Sequence, residues 1–126
     1  MLKNDRSIIM FFRELFREIL YSSLGESAGG AVLLFMRINL GRDPYEVIWE
    51  DPKTFYHAME RILGAGAKVI INLMVMNINA KYGLNINAEH FIDLMHSSDQ
   101  RSVEEMRLIL KRIADCVGGR MKNEWH

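Results

Sequence analysis

A chain of 126 residues with 16 Lys and Arg against 16 Asp and Glu, a single Cys, two Pro and 49% hydrophobic residues fits one compact domain and excludes a disordered chain. At this size folding buries roughly two-thirds of the surface the unfolded chain exposes, so neither a disulfide nor a structural metal is needed. Balanced charge excludes a global field toward nucleic acid or anionic membrane, and a lone thiol excludes an internal disulfide framework.

The first apolar patch follows Asn4-Asp5-Arg6-Ser7. Ile8, Phe12, Leu15 and Ile19 recur at helical spacing, joined by Ile9, Phe11, Phe16 and Leu20, which predicts a helix ending near Leu24 with Gly25 as its stop. Arg13, Glu14, Arg17 and Glu18 interrupt the patch, so it does not read as a secretory signal. Ser27 is the expected N-cap of a second helix, through Ala31 to Met36, which Asn39 and Gly41 close. Two Asp-Pro steps, Asp43-Pro44 and Asp51-Pro52, each place a capping carboxylate before a proline at the first helical position. They predict a short third helix and a longer fourth, with Phe55, Met59 and Ile62 inward and a break at Gly64-Ala65-Gly66.

From Ala67 to Tyr82 the chain is apolar nearly all round and stops at Gly83. A buried strand over Val69-Ile70-Ile71 and Leu73 to Met76 is the competing reading, but the distance between the flanking glycines favours a central helix packed on several sides. Asn72, Asn77 and Asn79 keep this segment from spanning a bilayer, and no stretch reaches roughly 18 consecutive apolar residues. Asn87 caps a sixth helix to about His96, carrying Phe91, Ile92 and Met95 inward, and a linker, Ser97-Ser98-Asp99, follows. Ser102-Val103-Glu104-Glu105 has the form of a capping box opening a seventh, whose buried side is Met106, Ile109, Leu110, Ile113 and Val117 and whose end is Gly118-Gly119. The expectation is an all-α, compact single-domain bundle of about six to seven helices. It spans residues 1–119, has a central apolar helix near residues 67–82, and leaves residues 120–126 as a frayed tail.

Gly25-Glu26-Ser27-Ala28-Gly29 matches the G-x-S-x-G pattern of serine esterases. That elbow needs a strand to deliver the Ser, an oxyanion loop, and an acid and a His in chain order. The preceding segment has helical periodicity and no HGG-type loop is present, so Ser27 is only a remote candidate nucleophile and no catalytic residue is assigned. Glu89, Asp93 and His96 share a helical face with His90 beside it, but no His pair stands at i, i+4 and no Cys accompanies them. They read as a solvated face, with no metal and no cofactor expected. Cys116 reads as a small hydrophobe beside the last apolar stripe.

Residues 101 to 122 hold an excess of basic side chains, among them Arg107, Lys111, Arg112, Arg120 and Lys122, which make nucleic acid a possible partner. Glu104, Arg107, Lys111 and Asp115 nevertheless form one mixed stripe, and no stacking aromatics are interleaved, so this partner is not favoured. The apolar surplus of the first, second and fifth helices points instead to contact between proteins. Ile8, Phe11, Phe12, Leu15 and Ile19 are the candidate interface for a homodimer or an unidentified protein partner. Asn72 and Asn77 either are satisfied locally or set the register of such an interface. The chain reads as a non-enzymatic cytoplasmic module without membrane contact.

Leu24-Gly25, the helix after it, Gly41 and the stretch from Asp43 to Gly83 resemble an archaeal family, the nitrosopumilus output domain. The cues are Asp51-Pro52 with Phe55, Ile62-Leu63-Gly64 with Gly66-Ala67-Lys68-Val69-Ile70, and Tyr82-Gly83-Leu84, covering about half of the chain. The resemblance implies an all-helical domain often joined to signalling modules and passing a signal onward. It supplies no catalytic residues.

Overall fold

The structure, a computed structural model, describes the backbone of residues 5–124 and the side chains of residues 5–116. Among these it is all-α, with seven helices: α1 (Asp5–Leu24), α2 (Glu26–Leu40), α3 (Pro44–Glu50), α4 (Pro52–Leu63), α5 (Gly66–Tyr82), α6 (Ala88–Met95) and α7 (Gln100–Glu124). The segment that read as either strand or helix is helical throughout.

Punctuation in the sequence sets most of these boundaries. Asp43 accepts a hydrogen bond from the Tyr45 backbone N–H at 2.9 Å, and Asp51 accepts from Thr54 N–H and, at 2.6 Å, from its hydroxyl. Each leaves its proline in the first turn, where no N–H is required. Asn87 caps α6 through the His90 N–H, and Gly41 and Gly83 stop α2 and α5 as expected.

Three boundaries differ from the reading of the sequence. Only Gly25 separates α1 from α2, and its φ of 88° lets one residue end the first helix and begin the second. Ser27 therefore lies within the first turn of α2 and does not cap it. Helix α7 begins at Gln100, not Ser102, because Asp99 takes the capping role and accepts from the Ser102 N–H at 2.8 Å. It also continues past Gly118-Gly119 to Glu124, since glycine weakens a helix by about 1 kcal/mol without forbidding it. Residues 120–124 of the tail expected to fray are thus the last turns of α7, while residues 125–126 and the side chains beyond residue 116 lie outside the described residues.

α1 and α2 form an antiparallel hairpin whose close approach depends on Gly29. A β-carbon there would stand 2.7 Å from the Tyr21 ring and 3.2 Å from the backbone of Leu20. Behind the hairpin one core joins all seven helices. Its densest part is aromatic: Phe12, Phe16, Tyr45 and Phe55 pack with ring centroids 5.3 to 6.2 Å apart, mostly edge to face. Helix α5 packs on α1, α4, α6 and α7, the central position its composition calls for. Asn79 clamps the turn after it, donating to the Ile86 carbonyl and accepting from the Ile86 N–H, both at 2.9 Å. Among the described residues no single helix is long and apolar enough to cross a membrane. α4 and α5 meet the length only together, and they bend by 120° at their junction.

Candidate functional site

The interface expected on α1 is corrected by burial. Ile8, Phe12, Leu15 and Ile19 are each less than 10% exposed and Phe11 is half-buried against the same core. The broad apolar face of α1 closes over α3, α5 and α7 within one chain and is unavailable to a second copy. Surplus apolar area lies elsewhere. α2 turns Leu34, Phe35 and Ile38 outward, and α5 turns Val69, Leu73 and Met76 outward, all between 38% and 66% exposed. On α5 these positions, continued by exposed Ala80, recur at spacings of four, three and four, the interval of a coiled-coil seam. Asn72 and Asn77 flank that seam half-buried, with no side-chain hydrogen bond to a described residue.

The basic residues of α7 separate in the same way. Arg107 donates from Nε to the Trp49 carbonyl at 2.9 Å, with its guanidinium 5.3 Å from the centre of the Trp49 ring, so it fastens α7 to α3. Lys111 is half-buried and Arg112 exposed, while Arg120 and Lys122 lie among side chains that are not described. On this face the structure offers Lys111 and Arg112 with Glu104 and Asp115 interleaved, not a continuous basic track.

Ser27 is exposed in the first turn of α2, and a helix rather than a strand leads into it. Gly29 of the same motif is accounted for by the contact with α1. Among the described residues no group of three or more His, Cys, Asp or Glu is placed to hold a metal. His90 pairs with Glu105 across α6 and α7, and the rings of His96 and Tyr56 meet edge to face with centroids 4.6 Å apart. Burial holds the Tyr56 hydroxyl above the ordinary range.

A second feature was not singled out from the sequence. A cleft of about 490 Å³ opens between α1, α2 and the start of α3, lined by Arg13, Arg17, Tyr21, Leu33, Arg37, Asp43, Pro44 and Tyr45. Arg13 lies 5.8 Å from the centre of the Tyr45 ring and Arg17 5.3 Å from that of Tyr21. Burial raises the Tyr45 hydroxyl to about 12, so it is neutral and a donor at ordinary pH. The signal was present in the chain, in two like charges one turn apart with a tyrosine a turn further on.

No family model matches the chain, and no curated protein or solved structure matches it either.

Proposed function

We propose that this protein is a non-catalytic, cytoplasmic interaction module that forms a homodimer through the outer face of α5 and presents the outer face of α2 to a protein partner. The observation that carries the reading is the apolar stripe of Val69, Leu73 and Met76 on the solvent side of a helix already buried on its other side. A helix apolar all round is ordinarily covered all round. The four-three-four spacing suits a second copy of the same helix, and a twofold pair is the commonest closed assembly. Asn72, beside the stripe and free of local hydrogen bonds to described residues, would then set the register. The resemblance of residues 43–83 to an output domain accords with a role in passing a signal through protein contacts. Nothing in the geometry favours the nucleic-acid reading through α7 or the esterase reading through Ser27 over this one.

Sedimentation of the wild type and of Met76→Glu tests the proposal. Because Met76 is exposed in the single chain, the variant keeps its helical circular dichroism. A dimer at micromolar concentration whose dissociation constant rises at least about tenfold, for the loss of roughly 1.4 kcal/mol or more, is the expected result. A wild type that stays monomeric, or a dimer indifferent to Met76→Glu, refutes it.

A further inference from the structure

Apart from the apolar faces, the strongest unassigned feature is the arrangement of charge on α1. Arg6, Met10, Arg13, Arg17 and Tyr21 follow one another at three- and four-residue intervals, so they share one face. Glu14 and Glu18 occupy the adjoining face, and Glu18 is turned toward Lys81 of α5 at 3.8 Å. Charges on a solvated helix are usually interleaved by sign, as on α7, since opposite charges at i, i+4 stabilise and like charges destabilise. Here the arginines are gathered on the side facing α2 and α3.

Arg37 of α2 completes the group from across the cleft. None of Arg13, Arg17 and Arg37 has a carboxylate within ion-pair distance among the described residues. The cleft's one carboxylate, Asp43, accepts the Tyr45 N–H as the cap of α3. Tyr21 and Tyr45 carry Arg17 and Arg13 over their rings, which limits the freedom of both guanidiniums before any ligand arrives. A second hollow of about 300 Å³ continues the cleft along α1, sharing Arg13, Asp43 and Tyr45 and adding Arg6 with Glu46 opposite it.

We propose that this cleft is a binding site for a small phosphate-bearing anion of charge −2 or more. Three guanidinium forks reaching one space from two helices match the tetrahedral oxygens of a phosphoryl group better than a planar carboxylate, which one fork already saturates. The Tyr45 hydroxyl, at the wall of the cleft and without a hydrogen bond to a described residue, adds a neutral donor. A volume of about 490 Å³ lies within the range of small-molecule sites. The site is independent of the α5 seam and stands whether or not the protein dimerises.

The test is calorimetric titration with inorganic pyrophosphate at about 0.15 M ionic strength, where loose surface attraction is screened. Wild type is expected to bind with a dissociation constant of about 100 µM or tighter, and Arg13→Gln, Arg17→Gln and Arg37→Gln each to weaken it at least about tenfold. Arg37 and Arg17 are exposed, so their replacement leaves the fold intact by thermal melting, and a rise in wild-type Tm on adding pyrophosphate is an independent readout. Arg61→Gln on α4, beside a separate hollow with Lys53 and His57, is the control and should bind as wild type. Absence of binding at about 5 mM, equal weakening by Arg61→Gln, or a single-stranded oligonucleotide binding far more tightly with a steep salt dependence would each overturn the proposal.

Discussion

Replacing Gly29 and Gly30 separately by alanine separates the packing role of the glycine pair from its effect on helix propensity. Both lie in the first turns of α2, so both gain up to about 1 kcal/mol of propensity on acquiring a methyl group. Their surroundings differ. At Gly29 the new carbon meets the Tyr21 ring at 2.7 Å and the Leu20 carbonyl carbon and oxygen at 3.2 Å, whereas at Gly30 its nearest neighbour is the Tyr21 hydroxyl at 3.9 Å. An ordinary carbon contact is about 3.5–4.0 Å, so at Gly29 the ring must retreat by roughly an ångström and the α1 backbone by a few tenths. Overpacking of this kind costs about 1–3 kcal/mol.

Because the propensity terms nearly cancel, Gly30→Ala should exceed Gly29→Ala in stability by about 1–3 kcal/mol, or roughly 4 °C of Tm per kcal/mol. Gly30→Ala alone should be neutral or slightly more stable than wild type. Urea unfolding followed by far-ultraviolet circular dichroism reads both, with the m-value checking that the unfolded state is unchanged. Equal stabilisation by the two substitutions would refute the close-approach argument and return the motif to a reading in which its glycines serve something other than the hairpin.

Hydrogen bonds from the Ser102 backbone and the Ser97 hydroxyl hold the Asp99 carboxyl below the usual range. It therefore supports α7 above about pH 4 and loses that support as the pH falls further, a dependence that Asp99→Ala should abolish and that Ser102→Ala, which removes the hydroxyl but keeps the backbone N–H, should only reduce, followed by the amide exchange of the first turn. Burial raises Tyr45 to about 12, so its contribution is intact below about pH 10 and declines as pH climbs from there to 12; relative to Tyr45→Phe, wild type should lose about 2 kcal/mol over that interval in urea titrations. Asn79→Ala strips both hydrogen bonds from the Ile86 backbone and should cost about 1–3 kcal/mol, with loss of exchange protection at Ile86.

Helix identity was legible because this chain marks its turns with residues whose physics is local. Asp43-Pro44, Asp51-Pro52, Gly41, Gly83 and Asn87 act within three or four residues of themselves, and all behave as their types dictate. Where two local solutions competed, the pattern could not rank them. Asp99 and Ser102 are both good caps, and the carboxylate wins because it accepts the Ser102 N–H and the Ser97 hydroxyl together. Ser27 loses its capping role to a one-residue junction that only a glycine can make.

The binding surfaces were less legible, since periodicity identifies an apolar face without saying what covers it. On α1 the widest stripe proved to be core, while on α5 apolar residues on every side concealed which side stays open. The arginine cleft is a tertiary object. Arg37 stands twenty positions from Arg17 and meets it only after the hairpin has formed.

α1 is best understood as a helix with three faces, each answering to a different demand. Ile8, Phe12, Leu15, Phe16, Ile19 and Leu20 belong to the fold, and truncating any of the larger ones opens a cavity costing about 2–5 kcal/mol. Glu18 reaches Lys81 of α5 across an exposed distance, an interaction of small consequence. Arg13 and Arg17 rest over the Tyr45 and Tyr21 rings, but they are like charges one turn apart and neither has a carboxylate at ion-pair distance among the described residues, so the fold alone gives little reason to gather them there. Val69, Leu73 and Met76 on α5 are in the same position, since polar side chains would serve an isolated chain better there than apolar ones. Features that a monomer would be more stable or more soluble without are where binding is most economically sought. Here they fall at two separate places, a cationic cleft sized for a small anion and an apolar seam spaced for a helix.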